Sequence, residues 1–364
     1  MQIPANRLDL AFCMHQQEYE QKALEVLRSG FYVMGRELAA FESEFAAFTG
    51  GQYCVGLASG LDALWIAFRL LGIGVGDEVI VQGNTYIASV MGITINGATP
   101  VFAEPNERFG IDADRIEALI TPRTKAILVT HLYGMMTPMN KITQICRTHG
   151  LKLVEDCAQA HGASYAGRMA GTFGDVGCFS FYPTKNLGCF GDGGAVIVKD
   201  AALAEAFRVF RNYGSEKKYC NSVVGANSRL DELQAGLLRV RLRYMEELTA
   251  EKSRLARRYA QGIRNAQIRL PEPAADTVNV WHQYVIRCER RQALIDNLRA
   301  KGIGTQIHYP IPPHLSQAYR YLGLRRGSLP VTEHLADTVL SLPIYFGMTQ
   351  KEQDYVIRAL NAFE

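Results

Sequence analysis

Lys185 stands in the run SFYPTKNLG, after VEDCAQAHGA and before GDGGAV. An amine between an apolar run and a glycine-rich turn is partly desolvated, which lowers its pKa and makes it a nucleophile and general base. An acid lies upstream at Asp156, closing the apolar run LKLVED. Such a pair suits an aldehyde cofactor held by the lysine as a Schiff base, with the carboxylate facing a protonated ring nitrogen so that the ring works as an electron sink. That is the arrangement of a pyridoxal phosphate lysine. Taken alone, Lys185 also reads as a solvated surface charge, and Glu155 and Asp156 as caps of the next helix.

The rest of such a site has counterparts in the sequence. In ASGLDALWIAF, Ser59 and Gly60 open a helix directly after a strand. The amides of Gly60, Leu61 and Asp62 then point outward at the positive end of the helix dipole, where a phosphate binds. Ser180 adds a hydroxyl from the strand before the lysine. Tyr86, after EVIVQGNT, is placed to lie against a flat ring, although a core tyrosine is the plainer reading. Gln159 and His161 follow Asp156 closely enough to flank a cofactor. Asp156, Cys157 and His161 could also ligate a metal, but no second ligand cluster accompanies them and no metal is expected.

The elements that must position these residues alternate from about Tyr53 to Asp200. Short apolar runs, YCVGLA, EVIVQG, TPVFAEP, KAILVTH, LKLVEDC, VGCFSFY and GAVIVKD, are separated by amphipathic stretches such as LDALWIAFRLLG, SVMGITING, DADRIEALI and MNKITQICRTHG. Strand and helix in alternation predict an α/β fold with a mostly parallel sheet covered on both faces, and functional groups at the carboxyl ends of the strands. Ser59 and Gly60, Thr85 and Tyr86, His131 and Tyr133, Asp156, and Ser180 all fall at such ends. After Arg229 a long charged helical segment, DELQAGLLRVRLRYMEELTAEKSRLARRYAQGI, reads as a link between domains. Beyond Pro271, a strand at WHQYVIRC, a helix at RQALIDNLRAKG, a proline-rich loop and a closing helix KEQDYVIRALNAF predict a smaller α+β domain. The expected division is a large domain over 1–245 and a small one over 246–364, with the N-terminal helix EYEQKALEVLRSG packing on the small domain or across the interface.

The chain has 364 residues, 48% of them hydrophobic, and 39 basic against 36 acidic side chains. Its length and balanced charge fit a soluble two-domain enzyme. The one dense basic run, Arg239, Arg241 and Arg243, lies within a helical stretch, which argues against a nucleic-acid partner. No apolar run could span a bilayer, and MQIPANRLDLAF has no leader pattern, so no membrane partner and a cytoplasmic location are expected. The eight cysteines form no CxxC pair and read as reduced core thiols.

Over nearly its whole length the sequence resembles the DegT/DnrJ/StrS family of pyridoxal-phosphate-dependent sugar aminotransferases. The resemblance is carried by FYVMGRELAAFESEFAAFTG, ASGLDAL, GDEVIVQGNTYIAS, GATPVFAE, TKAILVTHLYG, VEDCAQAHGASYAGRMAGTFGDVGCFSFYPTKNLGCFGDGGAV, RNYG, GANSRLDELQAGLLRVRL and IHYPIPPH. It implies an aspartate-aminotransferase-like fold (fold type I), with a mostly parallel seven-stranded sheet in the large domain, and a homodimer with shared active sites. It implies that Lys185 binds the cofactor covalently, Asp156 faces the pyridine nitrogen, Gln159 approaches the ring hydroxyl and Tyr86 stacks. Gly60, Leu61 and Ser180 would hold the phosphate, with Asn227 reaching it from the neighbouring subunit. Many relatives have threonine where Leu61 stands, so here only its amide can help. The implied reaction passes the amino group of L-glutamate to a ketone on a nucleotide-linked deoxysugar. SGLDAL, SFYPTKNLG, NYGSEKKY and IHYPIPPHLSQAY look most like enzymes acting at carbon 3 of dTDP-3-keto-6-deoxyhexoses, with the carbon-4 enzymes as the alternative. Tyr182, Lys217, Lys218, Tyr219, Arg229, His308 and Tyr309 are candidates for the nucleotide-sugar site, each of which also reads as an ordinary surface residue. A cofactor-dependent dehydratase would carry histidine at the lysine position.

Overall fold

The computed structural model describes all of Met1–Glu364. Seven strands form the central sheet: β1 Tyr53–Leu57, β2 Glu78–Gln82, β3 Thr99–Ala103, β4 Thr124–Thr130, β5 Lys152–Asp156, β8 Val176–Ser180 and β9 Gly194–Val198. Two-residue strands β6 (Ser164–Tyr165) and β7 (Arg168–Met169) make a hairpin between β5 and β8. The sheet order is β1-β9-β8-β5-β4-β2-β3. Neighbours from β8 to β3 run parallel, while β9 is antiparallel to both β8 and β1. β1 therefore points the same way as the other five, and the carboxyl ends of β1, β2, β4, β5 and β8 share one edge. The α/β class and the mostly parallel seven-stranded sheet are as expected.

Burial explains the sequence pattern. β2 and β9 are buried along their whole length, so residues 79–81 and Gly194–Val198 read as unbroken apolar runs and not as alternations. Successive residues face opposite sides. Ile80 joins a core with Leu38, Phe41, Phe45 and Leu238, whereas Val79 and Val81 join one with Leu64, Ile66, Val90 and Phe207. A third core holds Tyr259, Tyr284, Ile286, Leu298, Leu340 and Leu360. It lies among the Met245–Gly262, Arg291–Ala300 and Gln350–Asn361 helices and an antiparallel pair, Tyr284–Arg287 with Val339–Leu342.

Three expectations are corrected. The Gln16–Ser29 helix covers the large domain, with Tyr19 packed on Leu237 and Val240; the stretch at Ile3, bridged to Ile303, is what reaches the third core. The long charged segment is two helices, Glu232–Leu242 and Met245–Gly262, broken where Tyr244 stacks on His15 at 3.6 Å. DADRIEALI forms only a 3-10 turn at Glu117–Leu119. There the Asp112 carboxylate accepts the Asp114 amide and its carbonyl accepts Arg115 N–H, a local turn that competes with helix.

Two buried carboxylates organise loops. Glu232 accepts the amides of Gly35, Glu37 and Leu38 at 2.8–2.9 Å and so caps the Arg36–Thr49 helix from far along the chain. Glu155, fully buried, accepts His131 Nε2 and the amides of Gly171, Phe173 and Gly174. Burial alone would raise its pKa, but the His131 contact and the amides outweigh it and the net shift is downward. Glu155→Gln is expected to cost about 3–5 kcal/mol in urea unfolding, the scale for breaking a buried pair. With a depressed folded pKa, the stabilisation stands above the ordinary carboxylate range and is lost as pH falls through the folded value. A variant whose acid unfolding matches wild type would refute this.

Candidate active site

β1 runs into the Gly60–Leu70 helix through Ser59, whose side chain caps the helix by accepting Asp62 N–H at 3.1 Å. The amides of Gly60 and Leu61 are left without an acceptor at the positive end of the helix. A Cβ at Gly60 would lie 2.5 Å from Cβ and 3.0 Å from Cα of Ser180, and one at Gly194 would lie 2.3 Å from the Ser59 carbonyl. Glycine at both positions lets the helix terminus press against the ends of β8 and β9, so two free amides stand beside the Ser180 hydroxyl.

From Ser180 the chain enters a turn closed by Lys185 N–H on the Tyr182 carbonyl at 2.8 Å. Lys185 is half-buried, and desolvation lowers its amine to about 8 although Asp156 pulls the other way. Asp156 ends β5, buried. One carboxylate oxygen accepts the Ala158 amide at 3.1 Å within a turn, and no helix follows β5, so the capping reading is corrected; the other accepts the Ser89 hydroxyl at 2.6 Å. Ser89 in turn contacts Thr85 at 2.7 Å, and Thr85 contacts Thr130 at 3.1 Å.

Gln159 holds the opposite wall. Its Oε1 accepts Tyr133 N–H at 2.5 Å and its Nε2 donates to the Tyr309 hydroxyl at 3.1 Å. The Tyr309 and Tyr86 rings lie 5.0 Å apart, tilted by 36°. Tyr86 is half exposed at the start of the Ile87–Thr94 helix, which removes the core reading. His308 bonds Ser341 Oγ through Nδ1 at 2.7 Å, and desolvation, with Lys185 adding to it, lowers its pKa to about 4. His161 is fully buried with neither ring nitrogen partnered, held neutral at about 3 by desolvation first and Lys185 second. It joins no metal group; the buried atoms that do approach within 4.8 Å belong to His131, Glu155 and Cys157, and the Glu155 oxygens already accept four N–H groups.

The remaining candidates stand apart. Lys218 and Tyr219 form the tip between β10 (Ser215–Lys217) and β11 (Cys220–Asn221), with Tyr219 86% exposed. Arg229 binds Asn212 and lies over the Tyr213 ring. Asn227 is exposed and donates to the Tyr213 hydroxyl, while its neighbour Ser228 bonds Asp62 at 2.6 Å beside the free helix terminus. Tyr182 is half exposed next to Lys185. Within one chain no hydrogen bond joins Lys218, Tyr219, Arg229 or Asn227 to Lys185, Asp156 or Gln159. The sequence reading missed Ser89, whose only signal was a polar residue inside an apolar helix. It also missed Asn186 and Arg241, described below.

The family model described as the DegT/DnrJ/EryC1/StrS aminotransferase family matches residues 14–361. The chain belongs to this family. Among its relatives, a dTDP-3-amino-3,4,6-trideoxy-alpha-D-glucose transaminase of Streptomyces venezuelae is 49% identical, covering 94% of this chain and 91% of that one. A dTDP-3-amino-3,6-dideoxy-alpha-D-galactopyranose transaminase of Aneurinibacillus thermoaerophilus is 47% identical over 96% of both chains. The crystal structure of S. venezuelae DesV in complex with a ketimine intermediate superposes with a TM-score of 0.97 at 47% identity, covering 99% of this chain and 98% of that one. Like the rest of the DegT/DnrJ/EryC1/StrS family, this chain is a pyridoxal-phosphate-dependent aminotransferase with the fold of those enzymes. Its residues fit the cofactor: a lowered amine, a carboxylate at the strand end, and two free amides in a cradle that a Cβ would fill. Gly60→Ala is therefore expected to weaken pyridoxal phosphate binding about 10- to 100-fold, the scale of hydrogen bonds to a charged group. Equilibrium titration by absorbance checks this; unchanged affinity would place the phosphate elsewhere.

Proposed function

We propose that this enzyme moves the amino group of L-glutamate to the carbon-3 ketone of a dTDP-linked 3-keto-6-deoxyhexose, giving a dTDP-3-amino-3,6-dideoxyhexose and 2-oxoglutarate. The observation that carries the reading is the 47% identity, over 96% of both chains, to a dTDP-3-amino-3,6-dideoxygalactose transaminase. When bound, pyridoxal phosphate supplies the electron sink for the carbon that loses its proton. Lys185 Nζ moves that proton between the substrate carbon and the adjacent cofactor carbon, a task that an amine near pH 8 can perform in both directions. Asp156, oriented by Ser89, keeps a proton on the ring nitrogen. The amides of Gly60 and Leu61 and the Ser180 hydroxyl would hold the phosphate, Tyr86 would stack on the ring, and Gln159 would offer its remaining amide hydrogen to the ring hydroxyl.

The same proposal places two copies around each pair of sites, with Asn227 of one subunit reaching the phosphate in the other. Apolar side chains exposed at Phe31, Tyr32, Val33 and Met34, and at Val223 and Val224 close to Asn227, support such a partner. Tyr182, Lys218, Tyr219, Arg229, His308 and Tyr309 would line the nucleotide-sugar site, the domains would divide near residue 245, and the enzyme would work in the cytoplasm. No helix is long and apolar enough to cross a membrane. The test offers the enzyme glutamate with either the 3-keto or the 4-keto dTDP-6-deoxyhexose and locates the new amine by NMR. An amine at carbon 3 is expected; one formed only at carbon 4 would overturn the assignment.

A further inference from the structure

Two cations are buried behind the lysine turn with no carboxylate partner. Arg241 is 6% exposed and Lys252 4%, and neither joins an ion pair. Burying a charge without a counter-ion is expensive, so a cation kept in such a place points to what it binds. Arg241 Nε donates to the main-chain carbonyl of Asn186 at 2.9 Å, and Lys252 Nζ donates to the carbonyl of Ile344 at 2.6 Å. Both cations lie over the Phe346 ring, 5.1 and 4.9 Å from its centre. Asn186, the residue after Lys185, is itself buried, and its Nδ2 donates to the Val280 carbonyl at 2.7 Å. The turn carrying the amine is thus gripped on both sides of one residue: its carbonyl by the Glu232–Leu242 helix, its side chain by the segment that enters the Tyr284–Arg287 strand.

We infer that Arg241 and Asn186 are positioning residues for Lys185, clamping the turn so that the amine is held at one place beside Asp156. This rests on Lys185 being the amine that carries the cofactor. With either hold removed the turn loosens and water reaches Nζ, which weakens the desolvation that depresses its titration.

The test labels cofactor-free protein by reductive methylation across a pH series and follows the Lys185 peptide by mass spectrometry. In wild type the labelling midpoint is expected at about 8. In Asn186→Ala and Arg241→Met it should move up by at least about half a unit, toward the ordinary lysine value. In loaded enzyme kcat should fall about 10- to 100-fold, as for a small misplacement of a reacting group, with KM for the nucleotide sugar within about threefold. Arg241→Lys, which can still donate to the Asn186 carbonyl, should recover most of both readouts. Wild-type midpoints and kcat in Asn186→Ala and Arg241→Met would overturn the inference, as would an Arg241→Lys variant as impaired as Arg241→Met. If Arg241→Met does not fold, Asn186→Ala and Arg241→Lys decide. Borohydride fixation of the cofactor on a wild-type peptide other than that of Lys185 would instead refute the underlying reading of the site.

Discussion

Lys185→Ala is expected to lower the rate of 2-oxoglutarate release by at least about 10⁴-fold, at the upper end of what a positioned acid–base group contributes. Lys185 is both the attachment point and the proton carrier in the proposed scheme, so one substitution removes two functions. Lys185→Arg separates charge from chemistry: arginine keeps the cation but does not deprotonate in proteins, and it should be equally inactive. Borohydride treatment of wild type should fix the cofactor on the Lys185 peptide and leave both variants unlabelled. A rate within tenfold of wild type in either variant would show that another base moves the proton. The depressed amine carries a stability signature as well. Its folded value of about 8 lies below the unfolded one of 10.5, so the folded chain is penalised for a charged Lys185. That penalty is fully present below pH 8 and fades as pH rises toward 10.5. Cofactor-free Lys185→Met should therefore be more stable than wild type at pH 7, with the gap closing at alkaline pH.

Asp156→Ala should lower kcat about 10³-fold, within the range of one acid–base group. In the proposed scheme the carboxylate at the end of β5 holds the proton on the ring nitrogen, and no other acid takes its place there. The substitution also strips the acceptor from Ser89 Oγ, now 2.6 Å from a carboxylate oxygen. Asp156→Asn keeps the shape and loses the charge; it should be nearly as slow, and its cofactor absorbance should lose the band of the ring-protonated form. Ser89→Ala, which leaves the charge but frees its orientation, should cost only about tenfold, the low end of effects from groups that orient a ligand. Equal loss in Ser89→Ala and Asp156→Ala would mean that the hydroxyl relay, and not the carboxylate, does the chemistry.

These residues were not equally visible in the sequence. Lys185, Asp156, Gly60 and Ser180 could be found because each follows an apolar run, and in a sheet of this kind the ends of such runs meet at one edge. Tyr86 could be placed but not chosen over a core tyrosine, since exposure depends on what the next loop covers. Ser89 was hidden because a serine within SVMGIT looks like any polar residue on a helix, and its partner lies on a different strand. Arg241 read as one charge in an amphipathic stripe. Its burial is set by Phe346 and Asn186, both remote in sequence, and periodicity carries no trace of them. The helix break at Tyr244 escaped for the same reason, as its ring stacks on His15, more than two hundred residues earlier in the chain.

The cap on the Arg36–Thr49 helix has a consequence for synthesis. Its acceptor, Glu232, is made almost two hundred residues after the three amides it binds. The edge strand β1 likewise waits for β9 before it has a neighbour. On the ribosome the first third of the chain therefore emerges with an uncapped helix and an unpaired strand, the kind of exposed edge that recruits chaperones or aggregates. Fragments ending before Glu232 should be insoluble, and Glu232→Ala should reduce the yield of soluble protein more than it reduces the activity of what folds.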